Sequence, residues 1–290
     1  SAFTYDKTAP TVTLVSSNKS DGTYKASDII PIAVLFSEAV TVDTSSGTPT
    51  ITLSTGGSGS SVNFTSGSGT TLLTFNYTVA SGHNSNDLAY SASNSLALNS
   101  ATIKDSAGND ATLTLSSPSE AASLSFNKDI VIDTTSPTMT ITSSTSGVSD
   151  GSTTKDATIS LTFTSSEATT NFTDADITVI NGAISGFNPA SSTTYTATFT
   201  PTTDGATTVD VAGNVFTDAV GNNNTAATQF NWTYDSTPPI ISAIGTGAFS
   251  WGAVLNATED NSNGTVSVTT SGAEDGQTVT ITLNGATYTN

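Results

Sequence analysis

Asp6, Asp133 and Asp235 each close an alternating stretch and open a proline-stiffened joint. The three joints read Tyr5-Asp6-Lys7-Thr8-Ala9-Pro10, Ile132-Asp133-Thr134-Thr135-Ser136-Pro137 and Tyr234-Asp235-Ser236-Thr237-Pro238-Pro239. Asp105 and Asp218 head tight acidic turns, Asp105-Ser106-Ala107-Gly108-Asn109-Asp110 and Asp218-Ala219-Val220-Gly221-Asn222-Asn223, which are expected at a unit end. Glu38 and Glu167 follow apolar strands, in Phe36-Ser37-Glu38-Ala39 and Phe163-Thr164-Ser165-Ser166-Glu167-Ala168, within reach of the same regions. A hard cation such as calcium takes six to eight oxygens from carboxylates, amide side chains, backbone carbonyls and water. A joint where two loops and a linker converge can supply them, and an ion there would lock the angle between neighbouring units. These seven carboxylates are therefore the candidate metal ligands, and calcium is the expected cofactor. The competing reading is local: Asp and Asn side chains cap turns by bonding their own backbone. No stretch fits an EF-hand loop or a Gly-rich nonapeptide repeat, so the metal signal is spread along the chain.

Catalysis has little to work with. His83 is the one histidine and sits in a polar turn, Ser81-Gly82-His83-Asn84, and there is no cysteine. A histidine-dependent triad has nowhere else to centre, and no nucleophile-elbow pattern is present. Two carboxylates across a cleft suffice for glycoside cleavage, but no stretch promises a cleft with an aromatic floor. Trp232 and Trp251 read as core or inter-unit packing residues. No catalytic residue is expected, and the chain is read as a non-enzyme.

The formal net charge is -18, from 24 acidic residues against six basic ones. Phosphate backbones need a basic surface, so a nucleic-acid partner is not expected. No apolar run approaches a membrane span, and no signal segment stands before Ser1, so export would use one removed or encoded upstream. Acidic excess suits solubility in a salty medium as well as cation binding.

Only 35% of the residues are hydrophobic and 10% charged. The apolar ones nevertheless recur at every second position: Ile30-Ile32-Val34-Phe36, Leu73-Phe75-Tyr77, Ile159-Leu161-Phe163, Tyr195-Ala197-Phe199. That is the period of a half-buried strand, and β-branched Thr suits its exposed face. The expected fold class is all-β, with tandem sandwiches arranged as beads on a string. The joints divide the chain into residues 1–6 (the terminal strand of a preceding unit, or a donor strand), 7–133, 134–235 and 236–290, the last an incomplete unit. Asp21-Gly22 and Asp150-Gly151 mark a turn before a core strand in each complete unit. The Gly-Ser stretch from Gly56 to Gly69 is expected to be a long hairpin tip or surface loop.

Phe36-Ser37-Glu38-Ala39-Val40, Asp87-Leu88-Ala89-Tyr90 and the Asp105 turn, followed by the Asp133 joint, resemble a bacterial Ig-like module repeated in very large surface proteins. The second unit looks like a sister family, through Glu167-Ala168, Asn171-Phe172-Thr173, Thr194 to Phe199, Phe216-Thr217-Asp218 and Trp232-Thr233-Tyr234-Asp235. The final piece, Glu274 to Val279 and Leu283-Asn284-Gly285, is similar to Ig-like repeats of giant adhesins. The resemblance implies an extracellular, cell-surface stalk, often calcium-stiffened, and no enzyme. Its partners would be neighbouring modules of the same or identical chains, with a surface glycan or protein ligand engaged through other parts. Two alternatives stay open. Ala2-Phe3-Thr4-Tyr5 resembles Trp232-Thr233-Tyr234, so strand complementation between subunits would build a surface layer or filament. An accessory carbohydrate-binding module is the other, and would need an exposed aromatic platform.

Overall fold

A computed structural model describes residues 5–246, 266–272, 278–283 and 286–289. The first unit runs through β1 (Val12–Ser17), β2 (Gly22–Tyr24), β3 (Ile29–Asp43), β4 (Thr50–Ser54), β5 (Ser60–Ser66), β6 (Thr70–Thr78), β7 (Ala89–Tyr90), β8 (Leu96–Ala97) and β9 (Thr102–Lys104). A single helical turn, α1 (Leu124–Asn127), precedes the closing strand β10 (Ile130–Ile132). Side chains alternate across a strand, and β3 shows the consequence. Ile30, Ile32, Val34 and Phe36 are buried, while Ile29, Pro31, Ala33 and Leu35 face outward. The first half of β3 pairs antiparallel with β1 and β6, and Thr41 to Asp43 pair with β9 instead. Between Leu35 and Val40 the register slips. Such a bulge bends a strand and re-aims its side chains, and Glu38 lies within it.

β10 returns beside β2 in a short parallel pair, Ile130 opposite Gly22 and Ile132 opposite Tyr24. The chain thus leaves the first unit next to the strand that follows the Asp21-Gly22 turn. The Gly-Ser stretch departs from expectation. Ser60 to Ser66 within it is a strand, paired with β4 through Ile51–Val62 and with β6 through Phe64–Phe75. Val62 is buried and Phe64 packs edge-on against Phe75, so two apolar residues at strand spacing outweigh the loop-like composition around them.

The second unit is a sandwich of two four-stranded sheets. One contains β11 (Met139–Ser143), β13 (Ile159–Ser165), β16 (Thr194–Pro201) and β15 (Gly182–Pro189), in that spatial order. The other contains β12 (Thr153–Thr154), β18 (Phe230–Tyr234), β17 (Gly205–Val211) and β14 (Ile177–Ile180). Inward residues of both sheets, among them Ile159, Leu161, Phe163, Phe199, Val209, Val211 and Trp232, form one core. Trp232 is 2% exposed and meets Phe199 edge-on, with ring centroids 4.7 Å apart. Buried Thr207 is satisfied by donating Oγ1 to the Trp232 carbonyl at 2.8 Å. A separate cluster from Val15 to Ile132 forms the first unit's core, so each unit buries its own apolar side chains.

After the third joint, β19 (Ile240–Thr246) pairs with β20 (Val266–Ser271), and β21 (Thr280–Leu283) with β22 (Ala286–Thr289), both antiparallel. Ala2 to Thr4, Trp251 and Glu274 to Gln277 lie outside the described residues. Tyr5 and Asp6 are described and belong to no strand.

Candidate metal centre at the joints

The acidic turn of each complete unit folds back onto the joint that enters that unit. Asp218 Oδ1 accepts from the backbone N–H groups of Val220, Gly221 and Asn222 at 2.7–2.9 Å, and its Oδ2 accepts from Asn222 Nδ2 at 2.8 Å. The same Asn222 amide donates to the Asp133 carbonyl at 3.1 Å, which ties turn to joint. The first unit repeats the arrangement. Asp105 accepts from the N–H groups of Ala107 and Asn109 and from Asn109 Nδ2, and Asn109 reaches the Asp6 carbonyl at 3.3 Å. Local capping by Asp and Asn is therefore fully realised. It extends to the joints, where Asp6, Asp133 and Asp235 each accept the N–H two residues on through Oδ1, at 2.9–3.0 Å.

Capping does not exhaust these carboxylates. Asp6, Glu38 and Asp105 each offer an oxygen, all within 4.8 Å of one another, and so do Asp133, Glu167 and Asp218. In both trios the turn Asp is buried and the Glu half-buried. The Glu comes from the strand end anchored to the joint by a matching bond, Ser37 Oγ accepting from Thr11 N–H and Ser166 Oγ from Thr138 N–H. Among the described residues the ion pairs are Lys104–Asp110 and Lys128–Asp21, and neither touches a trio. Asp235 joins no such group among the described residues. His83 lies apart from both trios' members: its Nδ1 is 2.8 Å from the Tyr77 hydroxyl, and its carbonyl accepts from Thr134 Oγ1.

Crowded negative charge shows in the glutamates. Burial first, then the charges of Asp6 and Asp105, hold Glu38 above the usual carboxylate range. Burial, Asp133 and Asp218 do the same to Glu167. Burial also pushes Asp105 upward, but the hydrogen bonds from Asn109, Ala107 and Gly108 outweigh it and hold the group below its ordinary 3.8. The signs separate two pH windows. A carboxyl whose folded pKa is raised adds stability that is complete below the unfolded value and is lost as pH rises through the folded one. One whose folded pKa is lowered adds stability that is lost as pH falls through the folded value. In chelator, the melting temperature is thus expected to rise as pH falls from neutrality towards the ordinary glutamate value of 4.5. It should fall again below the ordinary aspartate value of 3.8. Calorimetry on the chain and on a Glu38→Gln, Glu167→Gln double variant checks this. The double variant should lose much of the gain between neutral pH and the glutamate range, and an equal gain in both would rule the trios out as its source.

Three contributors to the joint went unnoticed in the sequence. Asn84 and Asn86 line one crevice with Asp133, Thr135 and Glu167. Lys25 crosses from the first unit to the second. Its signal was present, since Lys25 and Lys155 each follow an Asp-Gly turn and a short strand.

Residues 133–234 match the family model described as a bacterial Ig-like domain. No curated protein matches the chain. Similar solved structures include Yersinia pseudotuberculosis InvD, at 15% identity over 82% of this chain and 65% of that one, with a TM-score of 0.30. Domains 4–9 of the surface layer protein SbsC are 14% identical over 83% of this chain and 34% of that one, with a TM-score of 0.23. The chain thus spans less than two thirds of either. Over residues 133–234 the chain is thus similar to bacterial Ig-like domains.

Proposed function

We propose that the chain is a spacer segment of an extracellular, cell-surface adhesin, with units tied end to end and stiffened by calcium at the joints. One observation carries the reading. A joint Asp, a strand-end Glu and a turn Asp converge at the entrance of two successive units, with no lysine paired to any of them among the described residues. Three uncompensated carboxylates suit calcium, a hard dication that takes oxygen ligands in flexible geometry. Asn84 and Asn86, beside Asp133 and Glu167, would add amide oxygens at the second joint, and water the remainder. Such an ion would bind the linker to the unit that follows it, so the joint would resist bending. Sites of modest affinity fit an extracellular setting, where calcium-binding modules work at roughly 10⁻⁴–10⁻³ M. The work is mechanical and uses no reaction. No helix among the described residues is long and apolar enough to cross a membrane.

Calcium titration followed by calorimetry and small-angle scattering tests the reading. Each site filled at a hundredfold excess over its Kd should stabilise the folded chain by about 2.7 kcal/mol. Chelation should lower the melting temperature and shorten the maximum dimension in solution. Identical melting and scattering curves with calcium and with chelator would sink the calcium reading.

A further inference from the structure

Lys25 Nζ donates to the Gly221 carbonyl at 2.8 Å, joining the first unit to the acidic turn of the second across 196 positions of sequence. The base of the side chain is held in place, because the Lys25 N–H donates to Asp28 Oδ2 at 2.9 Å. The receiving residue sits at the left-handed position of the acidic turn, the place Gly108 takes in the first unit. Gly221 has φ +94°, and a Cβ on it would lie 2.8 Å from the ammonium nitrogen. The linker is tied separately to the first unit. Gly82 N–H donates to Thr134 Oγ1 at 2.9 Å, and Thr134 N–H donates to Asn84 Oδ1 at 2.8 Å. A linker held at one point can still swivel, and a second attachment removes that freedom.

The position recurs. Tyr24 pairs with Ile132, the last residue of the first unit's closing strand, and Lys25 follows it. Thr154 pairs with Tyr234 at the end of the second unit's closing strand, and Lys155 follows it. Lys155 lines a crevice with Asp235 to Pro239 of the third joint and with Gly272 beyond it. Two of the chain's six basic residues thus stand at equivalent places, Lys25 bonded to the next unit and Lys155 exposed at a crevice that the third joint lines.

We propose that this lysine is the key of a repeated inter-unit interface: Lys25, seated on the Gly221 turn, sets the rotation of the second unit on the first, and Lys155 does the same towards the third. The contact is charge-assisted and half-buried, and such bonds are shorter and stronger than neutral ones. It uses a carbonyl and engages no carboxylate oxygen of Asp133, Glu167 or Asp218. The key therefore acts without a metal ion, and its failure and that of the calcium reading are separable.

The absence of cysteine makes the test clean, since two engineered cysteines at exposed Asn76 and Thr178 of the full chain would carry the only nitroxide labels. Distance distributions between them are measured in chelator and in calcium. In chelator the parent should give one narrow distribution. Lys25→Met, which keeps the stem and removes the ammonium, should broaden it about twofold or more, since unrestrained units move relative to one another by default. Lys25→Arg should restore the narrow width, and unchanged melting of both variants would show the units intact. Equal widths for Lys25→Met and the parent in chelator would overturn the proposal, whatever calcium then does. Labels at Thr178 and Thr269 read Lys155→Met in the same way, and no broadening there would overturn the repeated role.

Discussion

Trp232→Ala is expected to unfold the second unit at temperatures where the first remains folded. The indole is 2% exposed between Phe199 and Phe230, in a core that takes side chains from both sheets. Replacing a buried Trp by Ala removes its transfer free energy and leaves a cavity, a loss of about 3–5 kcal/mol. A domain of this size has about 5–15 kcal/mol in all, so the change takes a large share. One term works the other way. Trp232 Nε1 is buried without a hydrogen-bond partner, and an orphaned donor costs about 1–3 kcal/mol, which its removal relieves. Trp232→Phe, which removes the same donor and most of the ring stays, should therefore cost clearly less than Trp232→Ala. The first core runs from Val15 to Ile132 and shares no side chain with the second. Calorimetry should show one transition moving down by tens of degrees and another staying within a few. A single transition that shifts as a whole would mean that the joint couples the units far more tightly than its hydrogen bonds suggest.

The all-β fold was legible because its signals are local. Ile30 to Phe36 and Tyr195 to Phe199 announce strands through period-two alternation, and the joints announce themselves through Asp and Pro. Strand pairing is not local. That β10 returns parallel to β2, or that β3 bulges between Leu35 and Val40 and changes partner, follows from contacts between residues distant in sequence. The stretch around β5 was misread for the same reason, since Gly and Ser describe its two turns while Val62 and Phe64 answer to β4 and β6. The candidate site divides likewise. Residue type and position single out the seven carboxylates, but only loop geometry groups six of them by threes and, among the described residues, leaves Asp235 aside. Lys25 was overlooked because a lysine in an acidic chain reads as a solvated charge until the Gly221 turn is placed against it.

Glu167→Gln and Asp218→Ala should have different effects on the metal-free chain and the same effect on calcium binding. The Glu167 carboxylate makes no hydrogen bond to the protein among those described, and it stands against Asp133 and Asp218. Glutamine keeps its volume and removes its charge. Without calcium the variant should be as stable as the parent at neutral pH or slightly more so, because a repulsion has gone. Asp218 is different, since four hydrogen bonds from Val220, Gly221 and Asn222 converge on its carboxylate. Alanine there leaves those donors unpaired and lets the turn open, at a cost comparable to losing a strong helix cap, about 1–2 kcal/mol. The Asn222 bridge to the Asp133 carbonyl loosens with it. Both variants remove one of three charges from the trio, and calcium affinity follows ligand charge and number, so each should weaken binding at that joint by about tenfold or more. Glu167→Gln carries the decision, because it separates the ion from the cap. If calcium stabilises Glu167→Gln and the parent equally, the carboxylates serve the turn alone. If the calcium-dependent gain at the second joint disappears while metal-free melting holds or rises, Glu167 belongs to an ion site that turn capping does not need.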